Sequence, residues 1–437
     1  MTVRFDGAWS SARRLAEEAA TRSYDLTLIR DLVGRISLII DDRVRSLPSD
    51  ELQRFERQLA EVAGSFASPT PALLASDMFD PDSILADPAL IVAELPGAAE
   101  GRLRIADRGA VGADWSTVSD VPEHRVTLYG FKGGIGRSTA TFMLAQHLAE
   151  MGRAVLVVDL DLESPGIGSL LQAEAQLPDY GLVDHLVEAA VGNEAGLDLV
   201  VRSQVVDPSG NGEVWLAPAG GRPRAGYDYI SKLNRVYADL PAGDLTGSGL
   251  RFGDRIQLAV EACEAEVARL SRSPEVVLID SRAGVHDLAA VAITQLSGLS
   301  LLFAVNNPQT WAGYGALFRQ WGRIPHLARV MRERIRMVAT FVPESAEEVH
   351  LARFRDYAQA CLAETLYDDA ASDDPDAYNP GLADNAAPHT PLPILYTSQL
   401  VGLDHTVERG WYSSTLVGAA YQRFVQGAAE IILGGES

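Results

Sequence analysis

The segment VTLYGFKGGIGRSTAT, residues 126–141, limits what this chain can fold into more than any other stretch. An apolar run typical of a buried strand leads into a glycine-rich turn, and a stretch with helical apolar periodicity follows. Gly133, Gly134 and Gly136 let the backbone approach a ligand without a Cβ in the way. Backbone N–H groups and the positive end of a helix dipole then converge on one point, which favours an anion. The segment predicts a phosphate-binding loop between a strand and a helix.

Strands and helices alternate from this loop to the C-terminus. The predicted strands are 125–130, 154–160, 213–217, 275–280, 299–305, 336–342 and 392–396. The predicted helices are 137–151, 183–191, 254–271, 286–296, 310–322, 345–366 and 412–433. Most of the strands are almost continuously apolar, which is typical of parallel strands covered on both faces by helices. The alternation predicts an α/β fold with a doubly wound, mostly parallel sheet, in which ligands bind at the carboxyl ends of the strands.

The N-terminal part differs from the rest of the chain. Residues 1–67 have helical apolar periodicity and predict a helical accessory module. Its apolar stripe consists of Tyr24, Leu28, Ile29, Leu32, Ile36, Ile39 and Ile40. Residues 68–123 are rich in Pro, Gly and Asp, which predicts an irregular connecting segment with one short strand at 102–105. We therefore expect the α/β domain to occupy residues 124–437 as one body.

Composition restricts the classes of function. Thirty-seven basic against 59 acidic residues give a net charge of −22, which opposes nonspecific binding to nucleic acid or to an anionic membrane. One basic cluster, residues 319–336, stands out, and we expect it to be a solvated face or to dock on an acidic segment such as 367–390. The two cysteines lack metal-binding spacing. With no signal core and no apolar run of ~18 residues, the sequence predicts a cytoplasmic protein.

Carboxylates follow two of the predicted strands. Asp159 and Asp161 end the strand 154–160, and Asp280 ends the apolar run of PEVVLIDSRAG. Ser138 places a hydroxyl where phosphate loops hold Mg²⁺, and a carboxylate such as Asp280 opposite it can hold the ion through a water. The alternative for Asp159 and Asp161 is a pair of strand-end carboxylates that cap the next turn. The pattern indicates a Mg²⁺ and phosphate site at one edge of the sheet.

The loop KGGIGRST resembles the deviant Walker A loop, KGGxGKT, of the ParA/MinD ATPases, which are P-loop NTPases of the SIMIBI class. More narrowly, it resembles the variant branch whose loop reads KGGVGR. Phe131 stands where GxxxxGK[ST] has its first glycine, and Arg137 replaces the usual lysine. The resemblance covers about residues 124–433 and implies that Lys132 reaches across a nucleotide-bound dimer. It assigns the phosphate chain to Gly133, Gly134, Ile135, Gly136, Arg137, Ser138 and Thr139.

The resemblance also assigns roles outside the loop. Asp161 is the counterpart of the residue that positions the attacking water and senses Mg²⁺, with Asp159 in support, and Gly284 matches the switch II glycine. Lys132, Arg137 and Asp161 are therefore the expected catalytic residues, and Ser138, Asp161 and Asp280 the expected Mg²⁺ site. Asn307 and Pro308 match an Asn-Pro pair of the family, and Tyr396, Thr397 and Ser398 are candidates for the base pocket. The family's Asn-x-Arg is replaced by TFVPES, so recognition of the base differs here.

The resemblance implies a nucleotide-dependent molecular switch: an ATPase, slow or stimulated by a partner, that binds ATP and Mg²⁺ and forms an ATP-dependent homodimer. Its protein partner is expected to be encoded nearby. Two alternatives stay open. One is a nucleotide-sensing, non-hydrolysing subunit of a bacterial regulatory or defence assembly, and the other is a DNA-binding partitioning ATPase. The acidic net charge disfavours DNA, and the last predicted helix has too few basic residues for membrane binding.

Overall fold

The computed structural model describes residues 3–22, 24–31, 33–43, 45–87, 90–95, 101–108, 114–240, 249–369, 377–400 and 410–434. The chain divides into two compact units, Met1–Ala113 and Asp114–Ser437. The second unit contains the predicted strand, glycine loop and helix. Residues 241–248 lie outside the described residues, and so do residues 370–376 of the acidic segment 367–390.

The first unit is an α/β unit. Its helices are α1 (Phe5–Thr21), α2 (Ser49–Ala63) and α3 (Asp82–Leu85), and its strands are β1 (Leu26–Arg30), β2 (Ile36–Ile40), β3 (Ala67–Leu74), β4 (Ile91–Val92) and β5 (Leu103–Asp107). The five strands form one sheet in the order β3-β2-β1-β5-β4. Alanines of α1 and apolar residues of α2 pack with one face of this sheet. The helical module therefore carries a sheet of its own.

The helical conformation expected for the apolar stripe of residues 1–67 is wrong, because most of that stripe lies in the antiparallel strands β1 and β2. Leu28 and Leu38 belong to the core beneath α1 and α2, whereas Ile29 and Ile39 belong to a smaller core on the opposite face. With both faces buried, the strands lose the apolar–polar alternation that marks a strand. The irregular segment expected at 68–123 is wrong at β3, most of which it supplies, whereas its one predicted strand, at 102–105, overlaps β5. The division into accessory module and connecting segment stays a prediction.

The second unit has the predicted alternation. Its strands are β6 (Arg125–Gly130), β7 (Ala154–Leu160), β8 (Val201–Arg202), β9 (Glu213–Ala217), β10 (Val276–Ser281), β11 (Leu299–Ala304), β12 (Ile335–Val342) and β13 (Leu392–Leu395). Its helices are α4 (Arg137–Glu150), α5 (Ile167–Leu171), α6 (Leu182–Ala189), α7 (Tyr229–Val236), α8 (Phe252–Leu270), α9 (Asp287–Val291), α10 (Pro308–Gly322), α11 (Pro325–Arg334), α12 (Glu347–Ala363) and α13 (Thr415–Ile432). The sequence did not predict β8, α5 or α11.

The doubly wound, mostly parallel sheet is confirmed. Its strand order is β13-β12-β11-β6-β10-β7-β9-β8, and every neighbouring pair is parallel except β8 with β9. Helices α4 and α13 pack on one face, and helices including α8, α10 and α12 pack on the other. The strands β6, β7 and β10 are adjacent and wholly buried. Their carboxyl ends therefore bring the glycine loop and the strand-end aspartates to one edge.

Among the described residues, no helix is both long and apolar enough to cross a membrane.

Candidate functional site

The glycine loop joins β6 to α4 with its backbone facing an open space. Gly134 and Gly136 have φ angles of 74° and 83°, in the left-handed region that favours glycine. Gly136 directly precedes the first residue of α4, Arg137. A Cβ added at Gly133 or Gly134 would meet no atom within 4 Å. The loop therefore presents main-chain atoms and the N-terminus of α4 to whatever occupies that space.

A cavity of about 490 Å³ lies against this loop, at the carboxyl ends of β6, β7 and β10. It is lined by Lys132, Gly133, Gly134, Ile135, Gly136, Arg137, Ser138, Thr139, Asp161, Ser164, Arg282 and Ala283. Three of these side chains are cationic and one is a carboxylate. Together with the start of α4, this charge balance suits a polyanion.

The strand-end carboxylates meet Arg137 and Ser138 inside the cavity wall. The Arg137 Nε donates to Asp280 Oδ1 at 2.6 Å, and its Nη2 donates to Asp161 Oδ2 at 3.0 Å. The Ser138 hydroxyl donates to Asp280 Oδ2 at 2.7 Å. On the far side of Asp161, the Ser164 hydroxyl donates to Oδ1 at 2.9 Å. Arg137 therefore bridges the two carboxylates rather than extending freely into the cavity.

Burial and charge oppose each other at this bridge. Burial raises the pKa of Asp280, and the Arg137 guanidinium and the Ser138 hydroxyl act against that rise. Burial alone would lower the pKa of Arg137, but Asp280 and Asp161 reverse the effect and raise it. The guanidinium is therefore held charged in a nearly closed environment.

Asp159 lies beside Asp280 in the β7–β10 register and is almost fully buried. Burial, followed by the nearby Asp280 carboxylate, raises its pKa well above the ordinary value. Its Oδ1 accepts the backbone N–H of Asp161 at 3.2 Å. Asp159 thus fixes the backbone that carries Asp161, and it does not line the cavity.

The oxygen donors fit a hard divalent cation such as Mg²⁺, which takes one or two carboxylates and completes its shell with water and phosphate oxygens. The Ser138 hydroxyl, Asp280 and Asp161 supply such oxygens at one place. In the part of the chain that the structure describes, no group of three or more His, Cys, Asp or Glu side chains could hold a metal ion. A cation here would therefore depend on the ligand for the rest of its shell.

Contacts outside the cavity link the loops that follow β6, β7 and β10. The Gly284 N–H donates to the Gly130 carbonyl at 3.2 Å, and the Tyr129 hydroxyl donates to the Gly284 carbonyl at 3.1 Å. Arg282 forms an ion pair with Glu163, which also accepts the Tyr237 hydroxyl. Sequence reasoning missed Glu163, although its place two residues after Asp161 could have indicated it. The loops after β6, β7 and β10 are thus tied to one another.

Lys132 and Phe131 connect the loop to α10. Lys132 is exposed, and its ammonium group donates to Gln309 Oε1 at the start of that helix. The Phe131 ring lies 5.9 Å from the Tyr314 ring, and its atoms come within 2.3 Å of where a Cβ of Gly313 would stand. The phenylalanine that replaces the first glycine of the P-loop pattern therefore fills a groove on α10.

Residues 122–218 match the ParA family model, which is described as NUBPL iron-transfer P-loop NTPase. A MinD septum site-determining protein of Helicobacter pylori is 30% identical over 168 residues, covering 36% of this chain and 59% of that protein. Residues 122–218 are a P-loop NTPase segment of the ParA/MinD type. An iron-sulfur cluster carrier protein of Methanocaldococcus jannaschii is 39% identical over 59 residues, covering 14% of this chain and 20% of the carrier.

The matched segments thus span less than two thirds of either relative. A solved ParA family ATPase from Chlorobium tepidum aligns with 70% of this chain and 99% of its own at 13% identity and a TM-score of 0.44.

Asn307 and Pro308 begin α10. Asn307 Oδ1 accepts the Thr310 N–H at 2.9 Å, and Pro308 is the first helical residue, where its missing N–H costs nothing. Neither residue lines the cavity. Their described contacts are those of a helix start, and the adjacent Gln309 provides the link to Lys132.

Tyr396 and Thr397 directly follow β13, also outside the lining of the cavity. Tyr396 is 52% exposed, and its ring lies edge-to-face 6.3 Å from the ring of Phe341. Phe341 has a φ of 56°, the one positive φ among the described residues other than glycine. Such strain is concentrated at functional positions. Sequence reasoning missed Phe341, which stands in the TFVPES segment that replaces the family's Asn-x-Arg.

Proposed function

We propose that this protein is a nucleotide-dependent molecular switch that binds ATP with Mg²⁺, hydrolyses it slowly and couples the nucleotide state to face-to-face dimerisation. The observation that carries the proposal is a convergence at one cavity. The glycine loop, the start of α4, the Ser138–Asp280 pair and Asp161 all meet there. Phosphoryl transfer depends mainly on positioning and on neutralising charge, and this cavity supplies groups for both.

The loop from Gly133 to Thr139 would bind the phosphate chain through its backbone N–H groups, including that of Ile135. Mg²⁺, when bound, supplies the charge neutralisation that the phosphates need, and Ser138, Asp280 and Asp161 would hold it. Tyr396 and Thr397 would contact the base, with Phe341 as a second aromatic surface. Stacking on rings depends little on base identity, so this arrangement supports weak discrimination between purine bases.

Asp161 would orient the attacking water, because its carboxylate lines the cavity next to the loop. Asp159 would support it by accepting the Asp161 backbone N–H. Gly284, which is hydrogen-bonded to the end of β6, would carry the state of the site to the loop after β10.

Lys132 is the residue that points to a dimer. The chain has two lysines, Lys132 and Lys232, and uses arginine at its other cationic side-chain positions apart from histidine. An ammonium is a compact point charge that arginine does not replace. Lys132 is exposed at the rim of its own site, from which a cation can reach the nucleotide of a second subunit.

The test is the mass of the protein in solution with ATP, with ADP and without nucleotide, for the wild type and for Lys132→Ala. We expect a dimer of the wild type with ATP and a monomer of Lys132→Ala under the same conditions. Arg323→Ala removes an exposed cation from the C-terminal end of α10 and is the matched control, expected to behave as the wild type. A mass that nucleotide does not change would remove the dimer switch.

The second candidate, a nucleotide sensor without turnover, is favoured by one observation. The Arg137 guanidinium engages both Asp161 and Asp280, the groups that hydrolysis would use. Phosphate release from the wild type and from Asp161→Ala separates the two candidates. Release that falls in the variant supports the ATPase, whereas equal background rates together with tight ATP binding support the sensor. In either case, we expect the protein partner to be encoded nearby.

A further inference from the structure

We propose that the Arg137 guanidinium is a built-in cation that holds the metal position closed in the nucleotide-free protein, so that Mg²⁺ and Arg137 compete for Asp161 and Asp280. This inference rests on the proposed function only in assuming that the competing anion is the phosphate chain of a nucleotide. The competition itself concerns this chain's own residues.

The contacts of Arg137 are those of a cation that bridges two anions. Its Nε lies 2.6 Å from Asp280 Oδ1 and its Nη2 lies 3.0 Å from Asp161 Oδ2. Only 8% of the residue is exposed, so water screens this charge poorly. The bridge joins the ends of β7 and β10, the same two carboxylates that would hold a divalent ion beside Ser138.

All four carboxylate oxygens already accept a hydrogen bond. Arg137 takes one oxygen of each group, the Ser138 hydroxyl donates to the second oxygen of Asp280, and the Ser164 hydroxyl donates to the second oxygen of Asp161. A divalent cation that entered here would meet a guanidinium only a few ångströms away in a poorly screened site. Two cations so close repel strongly, so one must leave.

The side chain at position 137 decides whether such a bridge can form. A guanidinium is a planar fork whose N–H groups can address two carboxylates at once, whereas an ammonium is a single point charge. The departure from the lysine of the KGGxGKT pattern is therefore the feature that closes the position. Phosphate oxygens in the adjoining cavity, which Arg137 also lines, would draw the guanidinium away and open Asp280 to the metal.

The experiment needs no nucleotide. Thermal unfolding of the full chain is followed as MgCl₂ is titrated in, for the wild type and for Arg137→Gln, and Mg²⁺ affinity is measured by calorimetry. We expect the melting temperature of the wild type to be insensitive to Mg²⁺. Arg137→Gln, which leaves two buried carboxylates without their cation, should melt lower without Mg²⁺, rise with Mg²⁺ and bind the ion about tenfold more tightly or better.

Arg125→Gln is the matched control. Arg125 is also buried and is the first residue of β6, at the end of the strand away from the glycine loop. It pairs with Glu264 at 2.7 Å. Its loss should lower the melting temperature without creating a response to Mg²⁺. Adding Asp280→Asn to Arg137→Gln should abolish the new response. If Arg137→Gln does not fold, Arg137→Lys keeps the charge, frees one carboxylate and should show a smaller gain in Mg²⁺ affinity.

The inference would be overturned if Mg²⁺ raised the melting temperature of the wild type as much as that of the Arg137 variants. It would also be overturned if Mg²⁺ did not change the melting temperature of the Arg137 variants. Failure of the proposed function has a different signature. In that case neither the wild type nor the variants bind ATP with or without Mg²⁺, while the response of the nucleotide-free proteins to Mg²⁺ is unaffected.

Discussion

Asp159 and Asp280 show at the residue scale how two neighbouring buried carboxylates can behave differently. They are partners in the β7–β10 register, and burial raises the pKa of both. Asp280 has Arg137 and Ser138 as partners, whereas Asp159 has only backbone N–H groups to offset its burial. Two adjacent buried anions are costly, and Arg137 contacts Asp280 but not Asp159, so Asp159 keeps its proton to a higher pH than an ordinary aspartate.

The raised pKa of Asp159 makes stability depend on pH. An unfolded aspartate loses its proton near pH 3.9, whereas the folded protein keeps it up to the higher folded pKa. In that window the folded state binds more protons, so the free energy of unfolding falls as pH rises, by about 1.4 kcal/mol for each unit by which the folded pKa exceeds the unfolded one. Asp159→Asn should escape this loss. Urea unfolding at several pH values above 4 should show the variant gaining on the wild type as pH rises.

Asp368→Asn provides a control of opposite sign. The Arg332 guanidinium lowers the pKa of Asp368, so its stabilising effect is present above the unfolded pKa and is lost only as pH falls through the lower folded pKa. We therefore expect this variant to lose a constant amount of stability across the same pH range. Parallel curves for Asp159→Asn and the wild type would contradict the assignment of the proton to Asp159.

The positions of the site residues could be predicted from the sequence, but the contacts of Arg137 could not. The sequence predicted that Ser138, Asp161 and Asp280 would share one edge, because each adjoins the end of a buried parallel strand. It could not predict that Arg137 turns onto Asp161 and Asp280, since the direction of a side chain depends on neighbours 24 and 143 positions away. The assignment of catalytic and binding roles to these residues stays a prediction.

At the scale of elements, the accuracy of prediction followed the apolar pattern. The strands β6 and β10 are buried along their whole length and were predicted to within a residue. Helix α11 was missed because its buried apolar contacts come only from Leu327 and Met331, while its arginines resemble a charge cluster. Two-residue strands such as β8 leave almost no periodicity to detect.

The contact between α10 and the loop gives the second prediction. A Cβ at Gly313 would lie 2.3 Å from the Phe131 ring, so Gly313→Ala should push the ring out and displace the adjacent Lys132. Overpacking of this kind costs about 1–3 kcal/mol. The cost should shrink in a Phe131→Ala background, where the space is free, and denaturant unfolding of the four proteins of this double-mutant cycle measures the difference.

Gly418→Ala in α13 is the matched substitution. A Cβ there meets no atom within 4 Å, so the greater helix propensity of alanine should stabilise by up to about 1 kcal/mol. Equal effects of Gly313→Ala with and without Phe131 would mean that the loop does not depend on this groove.

At the scale of the whole molecule, part of the basic cluster at 319–336 is turned inward. Arg332 is buried, pairs with Asp368 at 2.8 Å and lies over the Tyr378 ring at 4.6 Å. Arg334 donates to the Ser119 carbonyl at 3.1 Å. The expected docking of this cluster on the acidic segment 367–390 is thus seen at Arg332 and Asp368. What is left on the surface is a smaller basic face than the sequence displays.

The last prediction follows from that charge distribution. Binding to duplex DNA would need a basic surface strong enough to overcome a net charge of −22 per protomer, and dimerisation doubles that repulsion. Arg319, Arg323 and Arg329 are the exposed arginines of the cluster. We expect no mobility shift of a duplex at about 150 mM salt, with or without ATP, because so few contacts cannot hold a polyanion against counterions at that ionic strength. A shift that disappears when these three arginines are changed to glutamate, with a log–log salt slope near −0.9 per phosphate, would contradict this expectation and favour the partitioning ATPase.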